Sequence, residues 1–361
     1  MLPLVFALLL CLPKVGSAQD GKHGAFVGLG GNNSLVIRPP TNGQILIDDV
    51  DFRALVAKMQ ALEHRLDSQQ CTTVADITTI TGLSGIDKWI GGVLASNGKI
   101  YSVPGTSVSV LIIDPTLNTA DTTTITGFGG SSKWIGGVLA GNGKIYGIPF
   151  TAASVLIIDP TTDTADTTTI TGLGGGGKWH GGVPAGNGKI YGIPHGSPSV
   201  LIIDPNSDTA DTTTATGFTG VNKWTGGVLA SNGKIYGIPW DSTSVLIIDP
   251  ATNAADSTTI TGLSGTGKWH GGALAANGKI YGIPHNSASV LIIDPTTNTV
   301  DTTTITGLSG AGKWHGGALA ANGRIYGIPW DSTSVLIIDP VSNIAVTNTV
   351  TGLASGGNKW Y

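Results

Sequence analysis

The pair Lys-Trp returns at Trp89, Trp134, Trp179, Trp224, Trp269 and Trp314, each 45 residues after the last, and once more at Trp360 after 46. A period of this length marks an architecture that stacks one supersecondary unit many times, because no single unit can bury its apolar face alone. The unit reads KWxGGVLAxNGKIYGIPxxxSVLIIDPxTNTADTTTITGLxG. The Asn-Gly steps, from Asn97-Gly98 to Asn322-Gly323, lie between apolar segments and predict tight hairpins. Lys-Ile-Tyr-Gly-Ile-Pro reads as a short strand closed by proline. Ser-Val-Leu-Ile-Ile-Asp is a continuous apolar run, as in a strand covered on both faces. Asp-Pro then turns the chain. Thr-Thr-Thr-Ile-Thr alternates and suits a half-exposed outer strand.

Each unit thus holds four short strands, a to d from the inside outward. Four strands per 45 residues, repeated radially, predict an all-β fold, a β-propeller of four-stranded blades. Pro184 replaces the leucine of Leu94, Leu139 and Leu229, and proline is tolerated mainly on edge strands, which places strand a at the inner edge. Composition agrees. A single glutamate (Glu63) and two methionines leave little helix-forming material, and 40% hydrophobic residues argue against disorder. Strands b and c occur six times, so six blades is the plain count. Strand d occurs seven times, counting Ala75–Thr81 before the first blade and a diverged Ala345–Thr351 after the last. A seventh blade stitched from the termini therefore stays open, with Ser34–Asp48 as its strand–turn–strand.

Before the propeller, assigned to 72–361, three segments differ from it. Residues 1–18 read as a signal peptide: an apolar run, Leu2–Leu12, followed by Gly16-Ser17-Ala18 at the cut. Residues 19–50 read as an extended, hairpin-forming segment, in which Asn32-Asn33-Ser34 is an N-glycosylation acceptor. Residues 51–70 read as a short heptad helix with Phe52, Leu55, Met59, Leu62 and Leu66 on its seam, a coiled-coil stalk that would make a homo-oligomer. Cys71, left alone once the leader is removed, is the candidate for an intermolecular disulfide. No later apolar stretch approaches bilayer length. The net charge of −4 and singly spaced lysines leave no footprint for nucleic acid. These features predict an exported chain.

The segment GGVLAxNGKIYGIP and the strand c that ends in Asp-Pro resemble the repeats of secreted β-propellers of the YncE-like and kelch-like sort, over Thr72 to Tyr361. The resemblance implies that the d–a and b–c loops emerge together on the ligand face. Those are the places where the copies differ. After the repeated Trp stand Ile90, Ile135, His180, Thr225, His270 and His315; after the strand-b proline stand Gly105, Phe150, His195, Trp240, His285 and Trp330. The ligand-binding candidates are therefore His180, His195, Trp240, Asp241, His270, His285, His315, Trp330 and Asp331. Indoles offer flat apolar faces with a polar handle, and the neighbouring carboxylates can accept from sugar hydroxyls. The repeated Trp of Lys-Trp is expected to pack between blades. The pairs His180/His195 and His270/His285 offer only two ligands each, so neither a metal nor another cofactor is expected. The repeats hold no glutamate, no cysteine and no P-loop, and no blade departs strongly from the others, so no catalytic residue is assigned. The resulting expectation is a secreted, non-enzymatic protein that binds an extracellular glycan or surface polymer multivalently. The alternatives are a structural building block of a matrix, wall or filament and, less favoured, a propeller-type lyase or hydrolase.

Overall fold

The computed structural model describes residues 26–29, 35–38, 46–47, 50–51, 79–83, 85–347 and 353. The chain divides into two compact units, Met1–Thr73 and Val74–Tyr361. In the first, β1 (Phe26–Leu29) pairs with β2 (Leu35–Arg38), and β3 (Leu46–Ile47) pairs with β4 (Val50–Asp51), all antiparallel. Strands do occur within Ser34–Asp48, as the sequence predicts, but β2 and β3 belong to separate two-stranded sheets and do not pair with each other. Asp51, the expected first residue of the heptad helix, ends β4. The leader, the rest of that helix, Asn32 and Cys71 lie outside the described residues.

The second unit is an all-β propeller of six four-stranded antiparallel blades. Blade one holds β5 (Trp89–Leu94), β6 (Ile100–Pro104), β7 (Leu111–Asp114) and β8 (Thr119–Asp121). The next five follow in the same order, from β9 (Trp134–Leu139) to β28 (Ile344–Val346). Strand a is the inner edge, as Pro184 required. Its glycines line the axis: a Cβ on Gly136 would meet the Gly181 Cα of the next blade at 3.1 Å, and Gly136 has φ of 81°. Only glycine combines that approach with that backbone.

One prediction is corrected. The outer strand is not Thr-Thr-Thr-Ile-Thr but the Thr-Ala-Asp before it, as in Thr119–Asp121. The Asp121 carboxylate accepts from the Thr123 and Thr124 backbone N–H groups and from both hydroxyls, so the threonines are turned into a bend before they can extend the ladder.

Five apolar clusters hold the blades together, one between each successive pair. In each, the Trp of one blade, with two isoleucines and a leucine of its b and c strands, packs on the blade before. Trp179, Ile190, Leu201 and Ile203 meet Val138, Tyr146, Ile148 and Ile157 in this way. Burying such a side chain fully is worth about 1.5–3 kcal/mol, so the blades cohere mainly through these faces. The expected packing role of the repeated Trp is what the structure shows, and the indole N–H also donates to a Ser carbonyl in the b–c loop of its own blade, as from Trp179 Nε1 to Ser199 O at 2.7 Å.

The uniform turns do more than reverse the chain. Asn187 Nδ2 donates to Pro250 O of the next blade at 2.8 Å, and Tyr191 Oη donates to Asn253 Oδ1 at 2.6 Å. The same lock recurs from blade one to blade six, with Asp163 and Asp208 taking the acceptor place in blades two and three. The acceptor residue sits in the left-handed region (Asn253, φ 57°), which Asn and Asp tolerate best among residues with a Cβ. Hence the constancy of Asn-Gly, Tyr and Asp-Pro: each is bonded across a blade interface.

Candidate functional site

The opposite ends of the strands carry the d–a and b–c loops, and the repeated lysine ties them. Lys313 Nζ donates to His285 O and Ser287 O of the preceding blade and to Gly310 O of its own loop, at 2.9, 2.9 and 2.7 Å. Lys133 and Lys178 make the same three bonds, and Lys223 and Lys268 two of them. Burial pulls the ammonium groups of Lys178, Lys223 and Lys313 down to about 8, while carbonyls accept all three protons of Lys178 and Lys313 and two of those of Lys223. The sequence showed these lysines only as singly spaced charges; they are the staples that fix where the loops begin.

Each staple therefore sets the residue after Trp and the residue after the strand-b proline. The first is the second residue of strand a, and the second opens the b–c loop. The two columns converge on one aromatic cluster. His270 stacks on His315 with ring centroids 3.9 Å apart, and His315 stacks on Trp330 at 4.0 Å. His180, two blades from His270, meets it edge-on at 4.9 Å. Trp240 lies 4.5 Å from His285, and His285 lies 4.8 Å from His315. On the far side His195 lies 5.6 Å from His180, and Phe150 lies 5.5 Å from His195. Phe150 belongs with the candidates, and its place in the His195–Trp240 column was the signal. Thr225, the polar member of the inner column in blade four, donates its hydroxyl to Trp269 O at 3.1 Å.

Five imidazoles gathered in this way stay neutral. Burial holds His180 and His270 well below the ordinary imidazole value, reinforced by their imidazole neighbours. Burial likewise takes His315 down to about 2 and lowers His195 and His285. A neutral imidazole presents one donor and one acceptor, so the cluster offers hydroxyl-matching groups between flat rings and attracts no anion by charge. Among the described residues no three His, Cys, Asp or Glu side chains are arranged to share a metal ion. His180 lies against the rings of His195 and His270, and His285 against those of Trp240 and His315.

The carboxylates are placed differently. Asp241 Oδ1 accepts from Gly267 N at 2.7 Å, joining the b–c loop of blade four to the d–a loop of blade five; Asn286 does the same for Gly312 in the next blade. Asp241 thus positions the loop that carries Trp240. Asp331, its counterpart in blade six, is exposed. Beside each identical Trp-Asp-Ser loop runs a shallow groove: one of about 420 Å³ lined by Lys313, Trp314, Asp331 and Ser332, and one of about 390 Å³ lined by Lys223, Trp224, Asp241 and Ser242.

No family model and no curated protein matches the chain. Solved structures match its fold, and they are β-propellers. A catalytically inactive virginiamycin B lyase from Staphylococcus aureus, solved with quinupristin, superposes with a TM-score of 0.59 at 10% identity, over 77% of this chain and 90% of the lyase. The extracellular domain assigned to the one-component system BT4673 of Bacteroides thetaiotaomicron gives 0.57 at 12% identity, over 76% of this chain and 38% of that one. Kuenenia stuttgartiensis hydrazine synthase gives 0.55 at 15% identity, over 72% and 79%. The fold thus defines a β-propeller whose structural neighbours include enzymes and extracellular domains. Within that fold, function is set by the loops.

Proposed function

We propose that this protein is a ligand-binding propeller that acts outside the cell and recognises a glycan without transforming it. The observation that carries the reading is the convergence of His180, His195, His270, His285, His315, Trp240 and Trp330, from four blades, on one neutral ring cluster. Half-buried indoles supply stacking faces for sugar rings, and neutral imidazoles supply the donor and acceptor that hydroxyls need. The grooves beside the two Trp-Asp-Ser loops add equivalent outer positions, which keeps the multivalent reading in place. Binding rather than turnover is favoured because the imidazoles are packed ring on ring and Asp241 is engaged with backbone.

Extracellular action rests on the expected leader and on neighbours that are extracellular domains. Self-association through 51–70 would add avidity. A glycan array followed by calorimetry tests the reading. A hit that survives in the parent and is lost in Trp240→Ala and Trp330→Ala supports it. An array with no hit, or a hit indifferent to both substitutions, refutes it.

A further inference from the structure

Six blades in a closed ring would share six interfaces, yet among the described residues there are five apolar clusters, and the missing one lies between blade six and blade one. Blade six shows an uncovered face. Ile328 is 39% exposed, whereas Ile148, Ile193, Ile238 and Ile283 at the same position are fully buried; Leu319 is 42% exposed. Tyr326 is half-buried where its five counterparts are buried. Asn322 reaches Tyr326 Oη at 2.9 Å but, unlike the other five, shows no bond to a proline carbonyl of a following blade. Blade one shows the opposite wall. Pro115 is exposed where Pro160, Pro205, Pro250, Pro295 and Pro340 are buried, and Trp89 is less buried than Trp134 to Trp314.

The chain carries one more copy of the piece that covers such a face elsewhere. Lys359-Trp360 follows Lys313-Trp314 by 46 residues, one more than the repeat. Thirteen residues (347–359) separate the end of β28 from Trp360, against twelve (302–313) between the end of β24 and Trp314, so the tether is long enough for the same step round the axis.

We propose that the seam between blades six and one is a seat for a seventh blade, and that Lys359-Trp360-Tyr361 docks on blade six as its first strand. Trp360 takes against Tyr326 and Ile328 the place that Trp314 takes against Tyr281 and Ile283. Lys359 staples to the b–c loop of blade six as Lys313 does to the loop of blade five. A seat made of one blade's outer face and another's inner face fits a strand that carries this repeat, and the C-terminal segment is the copy tethered beside it.

Hydrogen exchange on the full chain tests this. In Trp360→Ala, amides of 325–329 and 336–339 should lose protection about tenfold or more, while 190–203 in blade three keep theirs. Trp360→Phe should restore most of the loss, and Lys359→Met should give a smaller loss at the same amides. Protection at 325–339 unchanged in Trp360→Ala would overturn the proposal. So would protection at 325–339 that rises with protein concentration in Cys71→Ser, since a second copy would then be covering the seam.

Discussion

Acidification should unfold this propeller through its histidines, well before its carboxylates are protonated. His180 and His270 are buried and held neutral, with values well below that of a free imidazole. In the unfolded chain each returns to about 6.5. The sign follows directly. Below about pH 6.5 the unfolded state binds protons that the folded state refuses, so stability is complete above that value and falls as the pH drops. Each group costs about 1.4 kcal/mol per pH unit. From about pH 6.5 to about pH 4.5, His315, itself at about 2, removes about 2–3 kcal/mol, with further contributions of the same sign from His180 and His270. That is a large share of the roughly 5–15 kcal/mol that holds an ordinary domain together.

His195 and His285, also lowered, act in this window with the same sign, whereas the strongly shifted carboxylates and the buried lysines act outside it. Asp121, Asp166, Asp211 and Asp301 sit at about 2 because Thr hydroxyl and backbone N–H groups bond their carboxylates, so their contribution is lost only as the pH falls below the ordinary carboxylate range. Lys178, Lys223 and Lys313, at about 8, act only on the alkaline side. Urea unfolding at half-unit steps between about pH 7.5 and about pH 4.5 reads the slope, with m-values confirming one transition. His315→Gln should lower the slope by about 1.4 kcal/mol per pH unit, and His270→Gln should lower it too. A midpoint that stays flat down to about pH 5 would refute the buried, neutral cluster.

Removing a staple with Lys178→Met should leave the carbonyls of Ala152 and Gly175 without their lysine donor, at about 1–3 kcal/mol for each one orphaned, while Phe150 O keeps the Lys178 backbone N–H; thermal melting reads it. Tyr191→Phe should cost about 1 kcal/mol or more by breaking the bond to Asn253, whereas Tyr326→Phe, with no such acceptor on a following blade, should cost less; equal losses would contradict the lock. Gly226→Ala should cost about 1–2 kcal/mol because its φ of 71° is left-handed, measured by the same urea midpoints. Non-reducing electrophoresis should show a covalent dimer that Cys71→Ser abolishes, and a monomeric free thiol would remove the disulfide from the proposal.

The repeat made the blades legible because hairpin and turn chemistry is local. Asn-Gly, Asp-Pro and the apolar runs specify backbone within a few residues, and strands a, b and c stand where those signals put them. Strand d was misplaced by a few residues because β-branching was weighed without the aspartate that precedes it; Asp121 bends the very threonines whose propensity favours extension. The staples and locks were hidden for another reason. A lysine bonded to carbonyls 28 and 26 residues earlier, or an asparagine bonded 63 residues later, leaves no local pattern. Constancy across copies was visible, but only the structure shows that it reflects bonds between blades.

The variable columns yield most when followed round the ring. The inner column is Ile90 and Ile135 in blades one and two, both buried, then His180, Thr225, His270 and His315 in blades three to six. The same backbone position, set by the same Trp and staple, is therefore aliphatic on one side and hydrogen-bonding on the other. The outer column changes in step: Gly105, whose absent Cβ would lie 2.9 Å from Ile90 Cδ1, gives way to Phe150 and then to imidazoles and indoles. Random drift in loops would not pair the two columns blade by blade, since they are fifteen residues apart in sequence and meet only in space. In blades three to six every hydrogen-bonding inner residue stands against an imidazole or an indole, the pairing that the proposed ligand face calls for. On the reading proposed above, a glycan would sit between the aliphatic side of blades one and two and the donor–acceptor side of blades three to six, and would be oriented without any charge.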